Sequence, residues 1–253
     1  MANSAEQASP TNSTQPTIEY MDARVSACPS CGATLKKVPG AKTKCPACGE
    51  YMFVRTDPRN NCRVVVTQFQ AEEIDDEWAK VNGTWDELLA GKERIEEART
   101  TLRDKFGQDS SDSDVLWRLG NENMIDHANQ RQWGLYRNDL YELADVARKD
   151  GNYKIALQLY LDVCYIDTNG PNNVGLWSDG TPVPGEDNWQ IEMGFLAPVP
   201  LGYLVSLSQK LGQPLEQSLS EYAPRALKLQ SDLKFPLDWE SSRTIIIKAL
   251  ENQ

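Results

Sequence analysis

The hydrophobic pattern of this chain changes at Thr67. Between Cys28 and Thr67 the apolar residues stand in short β-prone runs separated by turn residues. From Thr67 to the C-terminus they recur with a period of about 3.6 residues, which is typical of amphipathic helices. The sequence therefore predicts a mainly α protein, in which a small three-stranded module precedes an all-α domain.

Three strands are predicted in the first module. They cover residues 33–38 (ATLKKV), 51–56 (YMFVRT) and 62–67 (CRVVVT), and residues 57–61 (DPRNN) read as the turn of a hairpin between the last two. The first helix is predicted to begin at Thr67, because Thr67 and Gln70 have the spacing of a capping box. Predicted core stripes then follow along the next helices: Ala71, Ile74, Trp78 and Val81; Leu88, Ile95, Ala98, Leu102 and Phe106; Val115, Leu116, Leu119 and Ile125.

These patterns predict the domain organisation. Residues 1–22 contain little to bury and are predicted to be a disordered tail, residues 23–67 form the β module, and residues 68–253 form the helical domain. Residues 169–198 are rich in Gly, Pro and Asn and form the longest irregular segment. The last helices are predicted around two further stripes: Leu201, Leu204, Leu207 and Leu211; Ile245, Ile246, Ile247, Ala249 and Leu250.

Four cysteines carry the clearest chemistry in the chain. They stand as Cys28-Pro-Ser-Cys31-Gly and Cys45-Pro-Ala-Cys48-Gly, and paired Cys-x-x-Cys turns at this spacing are typical of a four-thiolate zinc site. Such a site is closed to water, so we expect one structural Zn²⁺ and no metal-assisted catalysis there. A redox role is disfavoured because each pair is followed by Gly and β-prone residues rather than by a helix. The β module is thus predicted to be a zinc ribbon.

Charge separates the ribbon from the rest of the chain. The whole protein carries −11, but residues 24–66 contain eight basic and two acidic residues and carry +6. A basic module ahead of an acidic domain favours contact with an acidic protein surface or with nucleic acid, or docking of the ribbon on its own acidic domain. The candidate contact residues in the ribbon are seven of these eight lysines and arginines: Lys36, Lys37, Lys42, Lys44, Arg55, Arg59 and Arg63.

The irregular segment supplies a second set of candidates. Trp177 and Trp189 are suited either to contact a base or a partner protein or to cover the helical core. The carboxylates Asp179, Glu186, Asp187 and Glu192 could hold a metal, but their irregular spacing favours a solvated face.

Catalytic motifs are missing from the sequence. The only histidine, His127, stands near a predicted helix end, where a capping or surface role is favoured, and no Gly-rich phosphate loop or nucleophile elbow is present. Cys62 and Cys164 are predicted to be small buried residues. No apolar run is long enough to span a bilayer and no leader is recognised, so a cytoplasmic protein is expected.

One stretch of the helical domain resembles a tetratricopeptide repeat. Leu140, Leu143, Ala144, Gly151, Tyr153, Ala156 and Tyr160 stand at the spacings of that repeat within residues 137–168. The match departs at Ala147, Val163 and Thr168, and no second copy is found at about 34 residues before or after. A single unit cannot form the groove of a stacked array, so this unit is expected to serve packing.

Longer phrases resemble an uncharacterised group of bacterial and phage proteins in which a zinc ribbon precedes a helical domain. The phrases are CPSCGATLKKVPGAKTKCPACGEYMFVRTDPR and ALQLYLDVCYIDTNGPNN. The resemblance implies the fold and a bacterial cytoplasm, or the host cytoplasm for a phage protein, but no reaction.

The leading functional prediction is a non-enzymatic adaptor. In it the basic ribbon binds a protein partner, or nucleic acid, and the acidic helical domain supplies a second surface. The alternatives are a metal-dependent enzyme or nuclease subunit with its site in residues 169–198, and a phage structural or assembly component. The sequence leaves the oligomeric state open.

Overall fold

The computed structural model describes residues 21–22, 27–37 and 39–252. This part of the chain contains eight α helices and a small antiparallel sheet, which confirms the predicted fold class. Residues 1–20 of the predicted tail lie outside the described residues. The strands are β1 (Met21–Asp22), β2 (Thr43–Lys44), β3 (Tyr51–Thr56) and β4 (Arg63–Val66). The helices are α1 (Gln68–Asn82), α2 (Trp85–Phe106), α3 (Asp112–Asn129), α4 (Trp133–Lys149), α5 (Tyr153–Thr168), α6 (Pro198–Lys210), α7 (Leu215–Leu233) and α8 (Trp239–Glu251).

The sheet is antiparallel, with the strand order β1-β4-β3-β2. The predicted hairpin is formed by β3 and β4, but the strand predicted at residues 33–38 is wrong. Of the described residues there, only Thr34 forms a β-bridge, with Ala27. The third strand is Thr43–Lys44, because the turn that begins at Cys45 folds the chain back and lays Lys44 beside Tyr51.

The two faces of the sheet are buried against different partners. Side chains alternate across a strand, so Met52 of β3 lies on one face and Phe53 on the other. The first face is packed with cysteines and belongs to the cluster Cys28, Leu35, Cys45, Met52 and Val65. The second face packs against α1 and belongs to the cluster Phe53, Val64, Val66, Ala71 and Ile74.

Helix α1 begins at the predicted capping box. The Thr67 side chain accepts a hydrogen bond from the Gln70 backbone N–H, and the Gln70 side chain accepts one from the Thr67 backbone N–H. Gly83 ends the helix in the left-handed conformation with φ of +74°. Ala71 and Ile74 of the predicted stripe are buried and Trp78 packs beside them, whereas Val81 is exposed. The start of α1 is therefore set locally and its inner face by contact with the sheet.

The chain divides into two compact units between Lys92 and Glu93, within α2. We call the first the ribbon unit, since it holds the sheet and α1, and the second the helical unit. Along α2 only Ala98 of the predicted stripe is buried, and Phe106 is exposed. In α3 only Val115 of its predicted stripe is buried. No helix in the described part of the chain is long and apolar enough to span a bilayer.

Helix α5 is the centre of the helical unit. It packs against α4, α6, α7 and α8, and its residues are buried without interruption from Leu159 to Thr168. Gly151, with φ of +79°, makes the short turn from α4 into α5, so the segment that resembles a tetratricopeptide repeat is a helical hairpin. Because α5 contacts helices on several sides, this hairpin lies within a larger core.

Candidate metal centre and neighbouring surfaces

The two cysteine turns have the same backbone geometry. In the first, the Gly32 N–H donates to the Cys28 carbonyl at 2.8 Å. In the second, the Gly49 N–H donates to the Cys45 carbonyl at 2.9 Å. Both glycines have φ above +70°, a conformation that a side chain would disfavour. Each turn thus directs two thiols to the same side of the backbone.

The turns bring all four predicted ligands together. Their Sγ atoms lie within 4.8 Å of one another, with Cys28 to Cys48 at 3.8 Å and Cys31 to Cys45 at 3.9 Å. A tetrahedral ion with Zn–S bonds of ~2.3 Å requires S–S edges of about 3.8 Å. The observed edges are close to that length and are far longer than the ~2 Å of a disulfide. The four cysteines therefore form a site that could bind a metal such as zinc.

Hydrogen bonds and crowding act on the thiols in opposite directions. Backbone N–H groups of Cys48 and Ala47 lower the pKa of Cys45 to about 7. The backbone N–H of Glu50 also lowers the pKa of Cys48, but desolvation and the neighbouring thiols outweigh it and raise that pKa to about 12. Four thiolates crowded at these distances repel one another, so full deprotonation of the cluster requires a cation among them.

The cluster of four cysteines extends from the protein surface to one face of the sheet. Cys28 and Cys45, the first cysteine of each turn, are buried, whereas Cys31 and Cys48 are exposed. The buried pair packs with Leu35, Met52 and Val65. A metal held by all four sulfurs would therefore fasten both turns onto one face of the sheet. Four protein ligands would leave it no open position for water, as in structural sites.

A basic groove lies beside the metal centre. It has a volume of about 600 Å³ and runs along the edge strand β2. Its charged residues are Lys36, Lys37, Lys42 and Lys44, and its apolar residues include Leu35, Pro39, Pro46 and Met52. We call it the lysine groove. It brings together four of the seven basic residues that the sequence predicts as contacts.

Aromatic rings hold two of these lysines in place. The Lys42 ammonium lies 4.6 Å from the centroid of the Tyr51 ring and 4.8 Å from that of Phe53, and the Lys44 ammonium lies 5.0 Å from the Tyr51 centroid. Such contacts are attractive because the ring face is negative. No carboxylate in the described part of the chain lies within ion-pair distance of the four groove lysines.

The three ribbon arginines have internal partners instead. Arg55 donates two hydrogen bonds to Asp75 of α1, at 2.8 and 3.0 Å. Arg59 binds the buried carboxylate of Asp57. Arg63 donates to the Gly40 carbonyl at 2.9 Å. The arginines therefore serve contacts inside the ribbon unit, while the lysines face the groove.

Most of the irregular segment is an antiparallel hairpin, which a short 3-10 turn at Ile191–Met193 follows. Residues 170–177 run beside residues 181–190, with β-bridges from Pro171 to Trp189 and from Leu176 to Pro182. The Arg131 side chain stabilises the hairpin by donating hydrogen bonds to the Asn188 side chain and to the carbonyls of Val183 and Glu186. The pattern of Gly, Pro and Asn predicts the turns of this segment but not its pairing.

Its two tryptophans lie in different environments. Trp177 is at the turn and is 57% exposed. Trp189 is half-buried, stacks on Trp133 at a centroid distance of 5.2 Å, and donates its indole N–H to the Leu233 carbonyl. Trp177 is thus presented outward, whereas Trp189 contributes to the packing of the helical unit.

The carboxylates of this hairpin do not converge. Asp179 accepts hydrogen bonds from Thr181 within the turn, and Glu186 accepts one from the Gly175 N–H. Within the described ranges, the four cysteines are the only cluster of three or more His, Cys, Asp or Glu residues that could hold a metal. The contacts of Asp179 and Glu186 support the hairpin.

The remaining histidine and cysteines are placed by their local contacts. His127 Nδ1 lies 2.6 Å from an oxygen of the buried Asp139, so the pair links α3 to α4. Cys164 is buried as predicted, and desolvation raises its pKa. The prediction that Cys62 is buried is wrong, because it follows Asn61, which has a positive φ, at the exposed end of the hairpin.

The sequence does not reveal the acidic partners inside each unit. Asp75 stands 20 positions from Arg55, and no local pattern connects them. The buried Asp162 of α5 accepts hydrogen bonds from Tyr222 and Arg225 of α7, which are at least 60 positions away. The only signal for the edge strand is the alternation Lys42-Thr43-Lys44 directly before Cys45.

Comparison with known proteins does not assign this chain to a family. No family model matches it, and no curated protein or solved structure matches it either. The bacterial and phage resemblance remains a prediction.

Proposed function

We propose that this protein is a non-enzymatic, cytoplasmic adaptor whose zinc-bound ribbon unit binds an anionic protein partner through the lysine groove. Zn²⁺ is the metal we assign to the four cysteines, because the S–S distances suit a tetrahedral four-thiolate ion. Free thiols in this arrangement suit a reducing compartment. The ion has a structural role, and binding is performed by the side chains that it positions.

The observation that carries the proposal is the different use of lysines and arginines. Arg55 and Arg59 are paired with carboxylates of their own unit, whereas the four groove lysines have no carboxylate partner among the described residues. Unpaired charges lining a concave surface favour an anionic ligand. The prediction that the ribbon docks on its own acidic domain accounts for Arg55 and Arg59, which lie within ion-pair distance of Asp75 and Glu77 of α1, and not for the lysines.

The helical unit supplies the second surface of the proposed adaptor. Trp177 projects from the hairpin turn, and an exposed aromatic residue on a fastened hairpin is suited to anchor a partner. The net negative charge from residue 67 onward disfavours a nucleic acid as the partner of this unit.

The experiment is affinity capture with three full-length baits from one lysate, before and after nuclease treatment. They are the wild type, a groove variant with Lys36, Lys37, Lys42 and Lys44 changed to Glu, and a control variant with Lys105, Lys154, Lys228 and Lys248 changed to Glu. Zinc content is measured for each bait to show that the ribbon is intact. We expect partners that the wild type and the control capture and the groove variant loses. Identical captured sets for all three baits, or loss of every partner after nuclease treatment, would contradict the proposal.

A further inference from the structure

The lysine groove has an open strand along one side. Strand β2 is last in the sheet order and pairs only with β3 among the described strands. An edge strand exposes unpaired backbone N–H and C=O groups, to which an extended peptide can add as a further strand. Thr43 and Lys44 of this edge strand are also groove residues.

The register of β2 places different chemistry on its two faces. Lys44 lies opposite Tyr51, so it shares a face with Tyr51, whose ring Lys42 also contacts. Thr43 lies opposite Met52 and shares the other face, where Met52 packs with Leu35. One face of the edge is therefore cationic and the other apolar. A strand added to this edge would alternate between the two faces.

We infer that the lysine groove binds an extended peptide segment in which acidic and apolar residues alternate, added antiparallel or parallel to β2. The inference rests on the proposed function and specifies its partner. Acidic side chains would face Lys42 and Lys44, and apolar side chains would lie on the other face of the edge, beside Thr43 and over the buried Met52. A sequence with the same composition but without the alternation would place half of its side chains on the wrong face.

The aromatic contacts favour a peptide over single-stranded nucleic acid. Proteins that bind single strands stack bases on open aromatic faces. Neither Tyr51 nor Phe53 lines the groove: the half-exposed Tyr51 ring is contacted by the ammonium groups of Lys42 and Lys44, and Phe53 is buried. The apolar groove residues that reach the surface, Pro39, Ala41 and Pro46, suit aliphatic side chains.

The test is fluorescence anisotropy on the zinc-loaded full chain with four labelled probes. They are a peptide that alternates Glu and Val, a peptide with the same residues in two blocks, a peptide that alternates Lys and Val, and a single-stranded oligonucleotide. We expect the alternating Glu and Val peptide to bind about tenfold more tightly than the block peptide, with an affinity that falls as salt rises. Hydrogen exchange should show slower exchange at Thr43 or Lys44 when this peptide is bound.

Two protein variants complete the test. Changing Lys42 and Lys44 to Glu should weaken binding of the alternating acidic peptide by at least about tenfold. A control with Lys80 and Lys92 changed to Glu, two lysines near Trp85 outside the groove, should bind normally. If the first variant loses zinc, the pair Lys36→Glu and Lys37→Glu replaces it.

Several results would overturn the inference. They are equal binding of the alternating and block peptides, binding of the oligonucleotide in preference to both, or unchanged exchange along β2. If captured partners still depend on the four lysines, these results reject the alternating peptide and leave the adaptor proposal standing. Loss of that dependence in the capture experiment rejects the adaptor itself.

Discussion

The ribbon unit and the helical unit are stabilised in different ways. The sheet of the ribbon unit divides its apolar residues between two faces, and each face contributes to a cluster of five buried residues. Two residues of one cluster are the thiols Cys28 and Cys45. The helical unit places 22 buried residues in one cluster around α5. A small core needs a cross-link, so we propose that a metal bound by the four cysteines supports the first unit, whereas burial supports the second.

The second unit also contains buried charge. Asp162 of α5 is almost completely buried and is hydrogen-bonded to Tyr222 and Arg225. Burial raises the pKa of Tyr222 well above its usual value, and the Asp162 charge adds to that shift, so the hydroxyl remains protonated and donates. Arg137 and Asp167 form a second such pair. A large core can therefore hold charged groups when each one is paired.

The largest expected effect is loss of the metal. Changing Cys45 to Ser should abolish tight zinc binding and unfold the sheet, because structural zinc contributes about 10–16 kcal/mol in zinc-finger peptides at neutral pH. Hydrogen exchange measured by mass spectrometry should then show fast exchange in β3 and β4 and unchanged protection in α5. The matched control is Cys62→Ser, because Cys62 is exposed and is not in the cluster. Slow hydrogen exchange in β3 and β4 of a variant that binds no metal would contradict the proposed stabilisation of the ribbon unit by metal.

The buried carboxylate of α5 should give the next largest effect. Changing Asp162 to Ala leaves the Arg225 guanidinium and the Tyr222 hydroxyl without their acceptor, and breaking such a buried pair costs about 3–5 kcal/mol. Urea unfolding followed by circular dichroism measures this loss. Zinc content should stay at the wild-type level. Asp232→Ala on α7 is the control, because Asp232 is exposed; equal effects of the two changes would show that the pair contributes nothing.

Truncation of an apolar side chain tests the core of the same unit. Leu204 on α6 is fully buried, whereas its neighbour Val205 is 38% exposed. Leu204→Ala should lower the free energy of unfolding by about 2–5 kcal/mol, because it removes buried methyl groups and leaves a cavity. Val205→Ala should cost less than about 1 kcal/mol. Similar midpoints for both variants in urea would contradict the assigned core.

The smallest effect is expected from an ion pair of the ribbon unit. The side chains of Arg55 and Asp75 are 34% and 50% exposed, and pairs of this kind contribute about 0.2–1 kcal/mol. A double-mutant cycle with Arg55→Gln and Asp75→Asn, measured by thermal unfolding of the zinc-loaded protein, gives the coupling energy. A coupling energy far above this range would show that the pair, and not only the metal, supports the ribbon.

Local sequence signals predict the cluster of four cysteines and the helical class well. The two cysteine turns need only residues that are close along the chain, and the Thr67 capping box is equally local. The strand predicted at residues 33–38 fails for a different reason. A β-prone run forms a strand only when it pairs with a neighbouring strand. The turn that begins at Cys45 pairs Thr43 and Lys44 with β3, so these residues and not residues 33–38 form the strand at that edge.

Long-range pairing decides the features that the sequence does not predict. Arg55 is predicted to contact a partner, but it binds Asp75 of its own unit. Trp189 is half-buried because it packs on Trp133. Both contacts join residues far apart in the chain, for which composition and periodicity give no signal. The division between paired arginines and groove lysines therefore emerges only in the folded ribbon unit.

X-ray absorption at the zinc edge of the purified full chain shows directly whether the four cysteines bind zinc. We expect one zinc ion per chain, surrounded by four sulfur atoms at about 2.3 Å. The absence of bound metal, a shell containing nitrogen or oxygen, or cysteines joined as disulfides would contradict it.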